Sequence, residues 1–139
     1  MPTSPTITKL AAPACFDLLR QAQIGRVLLS VDALPTARSV KFTLLGTRIV
    51  MRVAAGSQVH RATPGRVVAF QSDHYDGANG DGWSIVALGV GEEVSDPEAL
   101  PLLHDLLADV WSRPPAQDAF VQIPVRSIIG ERVEWPRGK

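Results

Sequence analysis

The chain has 139 residues, 45% of them hydrophobic, enough for one domain with a single proper core. Fourteen Lys and Arg balance fourteen Asp and Glu, so no overall field draws nucleic acid or an anionic membrane surface. A lone cysteine, Cys15, excludes an internal disulfide or a cysteine-based metal site, and His60, His74 and His104 lack metal-ligand spacing, so no metal is expected.

Met1 to Ala12, rich in Pro and Thr, reads as a flexible tail, and residues 13–139 as one domain. The tail lacks a signal-peptide layout and no apolar run approaches the roughly 20 residues that span a bilayer, so a cytoplasmic protein is expected. Pro13 to Gln23 reads as a helix with Phe16, Leu18, Leu19 and Ala22 on its apolar side and Gly25 as its stop. Strands follow at Arg26–Val31, Thr36–Leu44 and Arg48–Val53, the last two forming a hairpin around Gly46. Ser57 to Ala62 fits one or two helical turns, closed by Pro64-Gly65.

A fourth strand, Arg66–Ser72, leads into a polar loop whose Asn79-Gly80 marks a turn. The fifth strand, Trp83–Val94, carries two inner glycines that signal a bulge or a close backbone approach. A second helix is expected from Pro97 to about Trp111, capped by Ser95 or Asp96. Phe120–Val125 and Ile128–Trp135 complete a mainly β fold of six to seven antiparallel strands, mostly in meander order, with two flanking helices. A sheet of this size is expected to close into a barrel.

The segment Ile49 to Val59 runs an apolar strand containing Arg52 into a small-residue turn, Ala54-Ala55-Gly56, and then Ser57, a pattern suited to holding a phosphate. With Pro35 to Phe42 upstream, and Val67 to Asp73 and Gly82 to Gly89 downstream, the chain resembles the pyridoxamine 5'-phosphate oxidase-like family of flavin-binding split β-barrels. The resemblance implies a homodimer with FMN in a groove between subunits and a small-molecule substrate. Residue by residue it implies Arg52, Ser57 and the backbone of Ala55 and Gly56 as phosphate ligands, and Ser39, Val40 and Lys41 along the ring edge. Backbone N–H groups from Val40 to Phe42 would face the ring, and Trp83 and Ser84 would come from the other subunit.

Three positions depart from the family pattern: Val53 in place of a Thr, Gln58 in place of a Lys, and Leu88 in place of a polar residue. Arg61, three residues beyond Gln58, is the expected substitute cation. Two readings follow: an FMN- or deazaflavin (F420)-dependent oxidoreductase, or a split-barrel binding module without a cofactor. Catalytic residues are not identifiable. Asp73-His74-Tyr75-Asp76 reads better as a solvated loop than as an acid/base cluster, and Cys15 as a small buried hydrophobe.

Overall fold

The computed structural model describes residues 4–107 and 117–137. Among these residues nine strands form one antiparallel sheet: β1 (Thr6–Leu10), β2 (Ile24–Val31), β3 (Leu34–Leu45), β4 (Arg48–Ala54), β5 (Val67–Tyr75), β6 (Gly82–Val90), β7 (Glu92–Glu93), β8 (Asp118–Pro124) and β9 (Ser127–Glu134). Among the described residues three helices accompany them: α1 (Ala12–Gln21), α2 (Gln58–Ala62) and α3 (Ala99–Leu106). The spatial order is β1-β9-β6-β5-β2-β3-β4-β8-β7, so the chain leaves meander order where β2 pairs β5, β4 pairs β8 and β6 pairs β9.

The sheet curls back on itself: β7 continues β6 past Gly91 and pairs with β8, so the order from β6 through β5, β2, β3, β4 and β8 returns to the strand it left, with β9 and β1 beyond it. Thr6–Leu10, expected as tail, is the edge strand β1, hydrogen-bonded to β9 with Thr6 opposite Glu134. Its mostly exposed residues give no amphipathic signal; the pairing with β9 holds it, with Leu10 at its end packed against the core.

The core fills the curl. Cys15 and Leu19 of α1 enter it from one side, and it includes Val27, Val40, Phe42, Met51, Val59, Phe70, Ile85 and Val121. Phe42 and Phe70 meet edge-on at 4.6 Å between ring centroids. A second, smaller core lies where α3 packs on β4 and β8: Val50 and Phe120 against Leu103 and Leu107.

Glycines set the close approaches. Gly25 lies inside β2, not at a helix end, because a Cβ there would stand 2.2 Å from Cζ of Phe70. Gly89 and Gly91 bear out the close backbone approach read from the fifth strand, with carbonyls of Pro124 and Thr63 each 2.3 Å from a Cβ built on them.

The α3 helix begins at Ala99, later than expected. The Asp96 carboxylate accepts the Glu98 N–H at 3.0 Å in a local turn, and the helix has no side-chain cap of its own. Trp111, the expected helix end, lies outside the described residues. Among the described residues, no helix is long and apolar enough to cross a membrane.

Candidate functional site

A cleft of about 180 Å³ opens between β3, the end of β4 and the start of α2. Arg38, Ser39, Val40, Arg52, Val53, Ala54, Ser57, Gln58 and Val59 line it. It is the corner that the sequence marked for phosphate, but its chemistry differs from the expected one.

Arg52 is turned away from solvent. It stands opposite Phe120 in the β4–β8 ladder, on the face that α3 covers. Its Nε donates to Asp118 Oδ2 at 2.8 Å, its Nη2 bonds to the same oxygen, and its Nη1 donates to the Leu107 carbonyl. The side chains of Arg52 and Asp118 are 6% and 0% exposed. This guanidinium ties β4 to β8 and to the end of α3.

The turn amides are engaged as well. Ala55 N–H donates to the Gln117 carbonyl at 2.8 Å, Gly56 N–H to Nδ1 of His60 at 2.8 Å, and Ser57 N–H to the Ala54 carbonyl at 3.0 Å. The expected backbone cradle is therefore spent on internal bonds. His60 holds the turn from both sides, because its Nε2 contacts the Glu93 carboxylate and its own N–H donates to Ser57 Oγ at 3.3 Å. On β3, Phe42 N–H donates to the Gln23 carbonyl at 3.0 Å, which removes it from the set expected to face a ring.

Side chains remain, and chief among them is Arg38, which the sequence reading passed over. Opposite Val27 and two residues before Val40, it sits on the core-facing side of β3, at the rim of the core. There its Nη2 donates to Gln58 Oε1 at 3.0 Å. That bond orients the Gln58 amide, leaving the Nε2 hydrogens for a ligand. Ser57 Oγ accepts from His60 and keeps its hydroxyl hydrogen. One guanidinium, one hydroxyl and one amide converge on the cleft, a donor set that fits a phosphate group. The usable signal for Arg38 was strand alternation: counting back from buried Val40 by two reaches it.

The remaining expected residues separate. Alternation puts Val40 in the core and Ser39 and Lys41 on the opposite face of β3; Ser39 borders the cleft and Lys41 does not. Arg61 is absent from this cleft and lines an adjoining one with Gln58 and Arg66. Trp83 and Ser84 sit on β6, three places from β3 in the sheet order, and neither lines the cleft. Trp83 borders a separate hollow of about 380 Å³ with Gln21, Gln23, Asp73 and His74. Asp73 pairs with Arg26 at 3.6 Å, and Asp76 accepts the Ala78 N–H at 2.7 Å, which are structural uses. Among the described residues, no group of His, Cys, Asp and Glu is arranged to hold a metal.

Comparison with known proteins places the chain. Residues 11–132 match the pyridoxamine 5'-phosphate oxidase family. An uncharacterised protein of Mycobacterium tuberculosis is 31% identical over 132 residues, covering 91% of this chain and 86% of the relative. An FAD-binding protein from Mesorhizobium loti has the same fold, with a TM-score of 0.76 at 20% identity, covering 94% of this chain and 98% of the other. An FAD-binding protein from Mycobacterium smegmatis superposes with a TM-score of 0.71 at 24% identity, covering 91% and 98%. The chain belongs to the pyridoxamine 5'-phosphate oxidase family, and its curled sheet is the split-barrel fold.

Proposed function

We propose that this member of the family is a flavin-dependent oxidoreductase that works as a homodimer on a small-molecule substrate. The observation that carries the reading is the convergence of Arg38, Ser57 and Gln58 on one cleft at the end of β3 and β4. The flavin bound by the Mesorhizobium and M. smegmatis relatives supports the same reading. A bound flavin supplies hydride or single-electron transfer. The chain supplies the rest. Arg38 contributes the full positive charge that a phosphate near its second ionisation calls for. Gln58, held by Arg38, and Ser57, held by His60, provide oriented neutral donors. Ser39 and Val40 border the cleft toward the sheet and lie where a ring attached to that phosphate would extend.

A pairing surface supports the dimer. On the outer face of the sheet, the register aligns Leu28, Ala69 and Leu88 in one row, with Val86 and Ile129 in the next. Leu28, Leu88, Val86 and Ile129 are exposed, as is Val67 beside them. A groove of about 420 Å³ runs between Leu28, Thr36, Ala37, Val67 and Leu88. A contiguous apolar face on a curled sheet suits burial against a second copy about a two-fold axis. In that assembly Ser84, on the outer face with Val86 and Leu88, would lie toward the partner, while Trp83 alternates to the core side with Ile85 and Ala87.

A second reading has its own observation. Arg52 and all three turn amides are engaged internally, which favours a binding module that kept the fold without the cofactor. The absorption spectrum of the purified protein, with thermal shifts against FMN, FAD and deazaflavin F420, decides. A ligand at about 100 times its dissociation constant adds about 2.7 kcal/mol to stability. Flavin bands, or a shift with any one of these, support the oxidoreductase. A colourless protein unmoved by all three supports the module.

A further inference from the structure

Away from the phosphate cleft, the sheet parts at one end. The pairing of β2 with β5 runs from Leu28–Ala69 to Arg26–Gln71, whereas β5 and β6 stay paired as far as Tyr75–Gly82. The hollow of about 380 Å³ opens where the strands separate. Gln21 and Gln23 line it from the junction of α1 and β2, and Ser72, Asp73, His74 and Trp83 from β5 and β6. Its volume falls within the range of about 300–1,000 Å³ usual for small-molecule sites. His74 stands directly opposite Trp83 in the β5–β6 ladder, and alternation from buried Ser72 and Ile85 turns both to the core-facing side. Opposed residues on one face have Cβ atoms about 4.5–5.5 Å apart, so the two flat side chains are neighbours. Trp83 is half-buried and packs against the core, which steadies the indole.

The polar groups around the hollow are uncommitted. Among the described residues, the side chains of Gln21, Gln23, His74 and Trp83 make no hydrogen bond or ion pair. Asp73 Oδ2 lies 3.6 Å from Arg26 Nη1, too far for a hydrogen bond, so the carboxylate keeps its acceptor capacity. The helix α1 ends at Gln21, and the last carbonyls of a helix carry partial negative charge. Arg20, the basic residue of that last turn, is already paired with Asp17 at 2.7 Å. No Lys or Arg lines the hollow: Arg132 stands opposite Trp83 on β9, and Arg26 lies on the outer face. We propose that this hollow binds a planar aromatic cation carrying N–H donors, stacked on Trp83 and paired with Asp73. An indole face attracts a cation laid over it. The carboxylate and the helix end accept its N–H bonds, and the two glutamine amides meet the edge of the ring. An anion would meet Asp73 and the helix end with no lining cation to offset them. The hollow shares no residue with the phosphate cleft, so the assignment stands apart from the flavin reading.

The test uses three probes of one shape and different charge, benzamidine, benzamide and benzoate. Each is titrated into the full-length protein at about pH 8, where an imidazole is ordinarily neutral. Calorimetry reads affinity, and heteronuclear NMR of the indole N–H groups reads location. Benzamidine should bind about fivefold or more tightly than benzamide, with benzoate weakest. The indole signal that benzamidine shifts should be the one missing from Trp83→Leu, a variant that should weaken benzamidine and benzamide alike. Asp73→Asn should bring benzamidine down about five- to tenfold, to the level of benzamide, while benzamide affinity stays within about twofold, as loss of a charge-assisted contact implies. Circular dichroism and the melting temperature, unchanged in Asp73→Asn, exclude misfolding. Equal affinity for all three probes, tightest binding of benzoate, or no binding of benzamidine at millimolar concentration overturns the proposal. So does a benzamidine preference that survives in Asp73→Asn, or a shifted indole other than that of Trp83. None of these outcomes alters what the flavin titrations read.

Discussion

Replacing Arg52 by Met separates a structural arginine from a ligand. The substitution keeps most of the side-chain length and removes the charge. It leaves the Asp118 carboxylate, with no exposed side-chain surface, without its guanidinium, and the Leu107 carbonyl without its donor. Removing one partner of a buried ion pair costs about 3–5 kcal/mol. Domains of this size are stable by only about 5–15 kcal/mol in all, so the variant should be severely weakened. With a urea m-value of about 2 kcal/mol per molar, within the usual range, the midpoint should fall by about 1.5–2.5 M. Equilibrium urea unfolding followed by tryptophan fluorescence and far-UV circular dichroism reads this directly. A loss under about 1 kcal/mol, accompanied by a tenfold or greater loss of flavin affinity, would refute the reasoning and return Arg52 to the phosphate.

Gly25→Ala forces a methyl group against the Phe70 ring and the Gln71 carbonyl, 2.8 Å away, and should cost about 1–3 kcal/mol, read as a lower melting temperature. Burial pushes the Cys15 thiol above its ordinary range, so the folded state keeps that proton longer than the unfolded one. Its contribution to stability should be flat below the usual thiol pKa and decline as pH rises through it, a decline that Cys15→Ala should remove in melting curves from pH 7 to 10. Asp81 accepts a hydrogen bond from Arg137, which with the Trp135 N–H holds its carboxyl below the usual range. The stability from that contact is present above the ordinary carboxylate pKa and lost as pH falls through the lowered one. Asp81→Asn should therefore speed hydrogen exchange at the Trp135 amide at neutral pH, and unchanged exchange there would show that the contact does not hold the tail.

The sheet was legible because alternation along β2, β5 and β6 is clean: Val27 and Leu29, Val68 and Phe70, and Ile85 and Ala87 are buried between exposed or half-exposed neighbours. What alternation cannot give is pairing. Thr6–Leu10 carries no pattern of its own and becomes a strand only because β9 offers an edge. The candidate corner was found from the strand-turn-Ser57 pattern, but the assignment of its donors depended on tertiary contacts. Arg52 reads as a strand-end cation until α3 is seen to cover it. The turn amides read as vacant until His60 and residue Gln117 are seen to take them. Arg38 was hidden for the converse reason: a charged residue on the core-facing side of a strand makes sense only where the core ends.

The central claim is that side chains around Arg38, not the turn backbone, read the phosphate. Paired titrations with FMN and with riboflavin, which lacks the phosphate, test it most directly in wild type and in Arg38→Ala. Wild type should favour FMN over riboflavin. Arg38→Ala should lose about tenfold or more of that preference, with riboflavin affinity unchanged, as removal of one charge-assisted contact implies. An FMN preference of the same size in both proteins would contradict the account and place the phosphate elsewhere.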